Sequence, residues 1–420
     1  MPQITVGLDF GTHQTKVCIE KKEGAEQSYE FFMFKDNRNW KQFTLPSVLC
    51  VDDEDHIHYG YILKGQKGKL VKYFKQATFT DKNDKMSKTN AIYFSIWYIA
   101  YILFDLEEVY GQEFAIQMGV PTDGEHLEEQ QKLAVRILLS AYRLVEEVFE
   151  HDKEKFLAAT MHELCTQTEL VPYDEDQKFM YSILVFPEAY ACLMPLVKSK
   201  KIARGMSLMV DIGGGTTDIS FFTIPTPTDP KETQRPLIYD FHSLNKGLNY
   251  LTDADQIIER RVSSNVKNAD EISRVRNYDY EKDIRMLCGD LWNRLVADYK
   301  KSGRHLFRLQ EALKGRPIIY TGGGSTFDSL RTEYNPFTDI IHISEKEWRR
   351  DIVKDMDIIS EQGLCPILST AYGLSISVED DVIESTPFNT LFNGLMPNGD
   401  TTYNNSGMAN DKANYYDGDY

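Results

Sequence analysis

Two acidic, glycine-rich phrases carry the residue types that hold a metal-bound phosphate. Asp9-Phe10-Gly11-Thr12 follows the apolar run Ile4-Thr5-Val6-Gly7-Leu8, and Asp211-Ile212-Gly213-Gly214-Gly215-Thr216 follows Leu208-Met209-Val210. Glycines let backbone N–H groups converge on an anion without Cβ interference, and Thr adds a hydroxyl donor. An Asp repels a phosphate unless a hard cation stands between them, and Mg²⁺ takes one or two carboxylates plus substrate phosphates. Asp9 and Asp211 are therefore candidate metal holders, Asp211 expected at an exposed strand end. Gly11, Thr12, Gly213, Gly214, Gly215 and Thr216 are candidate phosphate contacts. For either copy alone, a tight hairpin with Gly for geometry and Asp or Thr for turn bonding is the plain alternative.

A third glycine turn joins them. Arg316-Pro317-Ile318-Ile319-Tyr320 reads as a strand feeding Thr321-Gly322-Gly323-Gly324-Ser325, with a helix predicted from Thr326 to Arg331. Strand, glycine turn and helix N-terminus make an anion or ribose cradle. The spacing fits neither the Rossmann fingerprint nor the Walker A loop.

The elements that position these residues follow from the same pattern. Each acidic phrase continues into a second apolar run, Val17-Cys18-Ile19 and Ile219-Ser220-Phe221-Phe222, so each reads as a hairpin with its chemistry at the tip. Two such hairpins suggest two related α/β half-domains facing one anionic ligand. Phe114 to Pro121 reads as a further core strand and Ala91 to Phe104 as a buried helix too short to span a bilayer. Glu125 to Phe149 reads as an amphipathic helix, with Leu127, Leu133, Ile137, Leu138, Leu144, Val145 and Val148 near one face. Asp52-Asp53-Glu54-Asp55 reads as a turn between strands.

The three phrases in this order resemble the actin-like ATPase superfamily over about residues 1 to 380. Asp9 to Lys16 is similar to its first phosphate loop, Val210 to Phe222 to the second, and Ile318 to Arg331 to the adenosine motif. Val185-Phe186-Pro187-Glu188-Ala189-Tyr190-Ala191 and Ala371-Tyr372-Gly373-Leu374 resemble the two connecting helices. Thr44-Leu45-Pro46-Ser47-Val48 and Asp211 to Asp218 resemble stretches of the seventy-kilodalton heat-shock chaperones. The order Pro187-Glu188, and Lys16 seven residues after Asp9, are similar instead to plasmid-segregating bacterial actins. The chaperones draw their phosphate lysine from a more distant segment, for which Lys75 is the match; between the two, Lys16 is preferred. Phe327 stands where the chaperones have an arginine beside the adenine.

The resemblance implies duplicated ribonuclease H-like domains forming two lobes around a nucleotide cleft. The first lobe spans 1–200 with an insertion at about 40–112, and the second 201–365 with an insertion at about 248–314. A return helix covers 366–386, and 387–420 is expected to be a disordered acidic tail. It implies binding of ATP or ADP with Mg²⁺ held by Asp9 and Asp211, and slow hydrolysis with Glu188 orienting water and Asp211 assisting. Lys16 would neutralise phosphate charge, and Gly322, Gly323, Gly324 and Ser325 would contact the ribose and α-phosphate. His13 reads as an ordinary loop side chain.

Composition bounds the rest. A chain of 420 residues with 42% hydrophobic and 26% charged residues is long enough for two cores, and a net charge of −17 argues against a general nucleic-acid surface. Six scattered cysteines without zinc or redox spacing read as buried reduced thiols, and the first strand begins almost at the N-terminus; both point to a cytoplasmic protein with no membrane span. The output stays open between a heat-shock-like conformational switch without a peptide-binding domain, a self-assembling filament or scaffold, and a regulatory pseudoenzyme. A sugar kinase would need an acceptor-binding Asp or Asn set in the first lobe. A protein client is possible under each of the first three.

Overall fold

The computed structural model describes residues 3–36, 39–63, 65–80, 86–121, 126–199, 205–224, 236–252, 272–301 and 306–378. The expected acidic tail and the end of the return segment lie outside them. The chain is a mixed α/β protein organised on two main sheets.

The first sheet is built from β1 (Gln3–Asp9), β2 (Gln14–Glu23), β3 (Glu26–Phe31), β4 (Ala115–Val120) and β5 (Ile183–Pro187). The second is built from β6 (Gly205–Ile212), β7 (Thr217–Ile224), β8 (Leu237–Leu244), β9 (Arg316–Thr321) and β10 (Phe337–His342). In each, the first three strands form an antiparallel meander and the last two add parallel on the other side of the first strand. The two sheets thus share strand order and sense. Both acidic phrases sit at the β-turn of a hairpin, and the registers match: Asp9 pairs with Lys16 across β1–β2, and Asp211 with Asp218 across β6–β7.

Between β3 and β4 lies an insertion. It holds a three-stranded sheet of Val48–Val51, Ile57–Tyr59 and Lys69–Lys72, then helices α1 (Phe74–Phe79) and α2 (Lys88–Tyr110). The Asp52–Asp55 segment is the turn joining the first two of those strands. The run Ala91–Phe104 lies within α2, and its Ile96, Trp97, Tyr98, Ile99 and Leu103 are almost fully buried. The expected amphipathic helix is α3 (Leu127–Arg143), continued by a π-helical turn at Leu144–Val148; Ile137, Leu138, Leu144 and Val145 are buried as its periodicity requires. Helix α4 (Met161–Gln167) begins at a capping box between Thr160 and Glu163.

After β5 the short helix α5 (Glu188–Ala191) starts directly at Pro187. Helix α6 (Cys365–Ser375) is buried along nearly its whole length and packs on β1, β2 and α5. Gly373 permits this approach: a Cβ there would stand 1.7 Å from the Ala191 carbonyl oxygen. Five of the six cysteines are buried; Cys165 is exposed. No helix among the described residues is long and apolar enough to cross a membrane.

One local expectation fails. The helix predicted from Thr326 to Arg331 is two separate 3₁₀ turns, Gly323–Thr326 and Asp328–Leu330, broken at an extended Phe327. The Ser325 and Thr326 hydroxyls donate back to the Gly322 and Gly323 carbonyls at 2.7 Å each. Such local bonds compete with helix extension, and glycines resist it.

Candidate functional site

The tips of the two hairpins meet at one cleft. Its walls include Asp9, Gly11, Thr12 and Lys16 from the first hairpin, Asp211, Gly213, Gly214 and Thr216 from the second, Gly322 and Gly323 from the third turn, and Glu188 from α5. Ile367 and Thr370 of α6 close one side.

Each loop is braced from behind. Ser47 donates through Oγ to the Gly11 carbonyl at 2.7 Å and through its N–H to the His13 carbonyl at 2.8 Å. The Thr44–Val48 stretch therefore fixes the first loop. In the second loop the Gly213 N–H donates to the Thr216 carbonyl at 2.9 Å. The Gly213 and Gly214 carbonyls accept from the N–H groups of Leu248 and Asn249, at 3.1 and 2.8 Å. Gly322 has φ +79°, and a Cβ there would stand 2.1 Å from Asp211 Oδ1. The third turn is thereby pressed against the Asp211 carboxylate.

Charge is the dominant feature. Asp9, Glu188, Asp211 and Asp218 are all buried. Against them stand Lys16, whose Nζ is 2.8 Å from Asp9 Oδ2, and Lys75, whose Nζ is 2.5 Å from Glu188 Oε1. Burial, then Asp218, Glu188 and Asp9, hold the Asp211 carboxyl well above the usual carboxylate range, with Lys16 opposing. Burial and Glu188 push Asp218 up to about 7, against bonds from Ser243 and Thr216 and the charge of Lys75. Burial alone would depress the Lys75 ammonium, but Glu188 and Asp9 outweigh it and raise its pKa.

This donor set suits a hydrated divalent cation. The carboxylates outnumber the lysines, and Asp218 Oδ1 is buried with no hydrogen-bond partner. Among the described residues no three His, Cys, Asp or Glu side chains converge closely enough to hold a metal directly.

The sequence expectations divide. Asp9, Gly11, Thr12, Lys16, Glu188, Asp211, Gly213, Gly214, Thr216, Gly322 and Gly323 come together on the cleft wall. Gly215 touches Thr12 beside it, while Gly324 and Ser325 are buried behind the third turn, Gly324 against Ile212. Phe327 lies in the core of the second sheet, 6% exposed, and not on the cleft wall. Its extended backbone between two turns directs it inward. Asp211 is a buried residue, 8% exposed, where an exposed strand end was expected.

Three residues were missed or undervalued. Lys75, ranked behind Lys16, is buried on the cleft wall and paired with Glu188. His13 lines the cleft: its ring stands 5.8 Å from that of Tyr73, and a Cβ on Gly214 would come within 2.8 Å of it. Asp218 completes the acidic cluster; the signal for it was the shared seven-residue offset that pairs Asp9 with Lys16 and Asp211 with Asp218. With Thr12 and His13 against Gly215 and Gly214, the free space in the cleft is about 80 Å³.

No protein-family description matches this chain, and no curated protein matches it.

Proposed function

We propose that this chain binds Mg²⁺–ATP between its two sheets and hydrolyses it slowly, as a conformational switch of the actin-like ATPase type resembling a heat-shock-chaperone nucleotide-binding domain. The observation that carries the reading is the convergence of two acidic hairpin tips with Lys16, Lys75 and Glu188 in one braced cleft. The matching strand order of the two sheets supports a duplicated ribonuclease H-like architecture. In this reading Asp9 and Asp211 would hold hydrated Mg²⁺, which would supply charge neutralisation for the phosphates. Backbone N–H groups of the two loops cradle phosphate, and Lys16 adds positive charge. Glu188, oriented by Lys75, positions water for in-line attack. Phosphoryl transfer needs mainly such positioning and electrostatic stabilisation.

Ligand sites run to about 300–1,000 Å³, so a nucleotide requires the two loops to part. Lobe opening is then a step of the cycle. Calorimetry with ATP, with and without Mg²⁺, tests the reading together with phosphate release in the absence of a small-molecule acceptor. Magnesium-dependent binding and slow acceptor-independent release support it; absence of binding overturns it.

A second reading, a nucleotide-dependent filament or scaffold, is favoured by Lys16 standing in the cleft on Asp9, as the resemblance to bacterial actins implies. Sedimentation that increases with ATP would select it over the solitary switch. Binding without hydrolysis would select a regulatory pseudoenzyme.

A further inference from the structure

We propose that a second cavity, in the insertion of the first sheet, binds a compact zwitterion with an aromatic body, the chemistry of a free aromatic α-amino acid. The cavity holds about 500 Å³, well above the free space of the cleft and inside the usual range for small-molecule sites.

Its body is apolar and fixed. Tyr93, Phe94 and Trp97 line it from two adjacent turns of α2. The Trp97 indole N–H donates to Thr168 Oγ1 at 2.6 Å, and Phe94 meets the Trp97 ring edge-on with centroids 5.4 Å apart. The indole is therefore held back and does not swing in to fill the space. Val51 and Val71 form the opposite wall from neighbouring strands, and Met161 of α4 closes the end. Aromatic ligands gain from offset or edge contacts with such rings.

Its rim carries both signs of charge, Lys69 against Asp52 and Asp53. Val51 pairs with Lys69 in the antiparallel ladder. Lys69 therefore stands beside Val51 on the neighbouring strand, and Asp52 is the first residue of the turn that follows Val51; both line the cavity. Asp52 is rigid: Oδ1 accepts from the Glu54 and His56 N–H groups, and Oδ2 is 2.8 Å from His58 Nε2. Asp53 adds a second, exposed carboxylate, and the Asn90 amide stands on the α2 side of the same rim. A pure cation would leave Lys69 facing like charge, and a pure anion would face Asp52 and Asp53. A zwitterion satisfies both ends.

The test uses the full chain without nucleotide, so its outcome is independent of the cleft. L-tryptophan, tryptamine and indole-3-propionate share one ring body and differ only in charge. Calorimetry should show single-site binding of L-tryptophan, with the other two at least roughly tenfold weaker. Cys165 lies on the rim and is exposed while the other five cysteines are buried. L-tryptophan should therefore slow modification of Cys165 by a thiol reagent. Lys69→Gln should remove the preference over tryptamine, and Asp53→Asn should weaken the preference over indole-3-propionate; both side chains are at the surface, and circular dichroism checks the fold. Absence of L-tryptophan binding, equal binding of all three compounds, or binding without protection of Cys165 overturns the assignment.

Discussion

Lys75 Nζ stands 2.5 Å from Glu188 Oε1, joining residues 113 positions apart in the chain. Both are buried, so neither charge is screened by water, and removing one strands the other. The lysine arrives from the insertion: strand Lys69–Lys72 runs into α1 through Tyr73, whose backbone is left-handed at φ 63°. The ion pair therefore ties the insertion to the residue that would orient water.

Glu188→Gln keeps shape and hydrogen bonding but removes the charge. Single-turnover ATP hydrolysis should fall by roughly 10²- to 10⁴-fold, with nucleotide affinity held. Lys75→Met should reduce hydrolysis in the same range. Equal losses of affinity and turnover would instead mean that the pair only supports the structure.

Asp211→Asn removes an ionisable group whose charge burial and three other carboxylates already disfavour. The melting temperature of the nucleotide-free protein should therefore rise. Magnesium-dependent ATP affinity should fall roughly 10- to 100-fold, the equivalent of about 1.5–3 kcal/mol for a charged contact. Thermal unfolding and calorimetry on the same preparation check both signs.

Lys198 gives a pH signature remote from the cleft. Burial, together with Lys22 and Arg349 and against Glu20, lowers its pKa to about 8 from 10.5. Between those values the unfolded chain keeps a proton that the folded chain has released. Stability from this group therefore rises with pH from about 8 to 10.5, and the full burial penalty applies below 8. The wild type should gain stability relative to Lys198→Met across that window. A constant difference between the two would show that Lys198 keeps its proton throughout.

Gly373→Ala places a methyl 1.7 Å from the Ala191 carbonyl oxygen, which is backbone and cannot move aside cheaply. A loss of at least about 1–3 kcal/mol is expected from overpacking. Chemical denaturation measures it, and an unchanged midpoint would mean that α6 shifts without cost.

The parts legible in the sequence were those written locally. Asp9, Gly11 and Thr12, and Asp211 with Gly213 to Thr216, announce their hairpins because strand, glycine turn and return strand fall within a few residues. The buried run in α2 was legible from its length and apolarity. Lys75 was undervalued because its role depends on a path through an entire inserted sheet, and Lys72-Tyr73-Phe74-Lys75 carries no local mark of burial. Phe327 misled for the opposite reason. A ring beside a glycine turn is compatible with stacking on a base, but the backbone between two short turns sends it into the core. Asp218 was open to detection through the symmetry of the two hairpins, had the seven-residue offset been carried from one to the other.

Helix α6 touches the first hairpin, α5 and the third turn. Its Pro366 carbonyl accepts from the Gly322 N–H at 3.0 Å and from the Thr321 hydroxyl at 3.2 Å, Ile367 and Thr370 face the cleft, and Gly373 lies on Ala191. At 1.5 Å per residue its eleven residues measure about 16 Å. If the two sheets part as proposed, a rod this short and this deeply seated would act as the axle. Swinging the two sheets apart would turn them about it and leave its own contacts almost unchanged, so amide exchange should stay slow along α6 while the glycine turns at either side breathe.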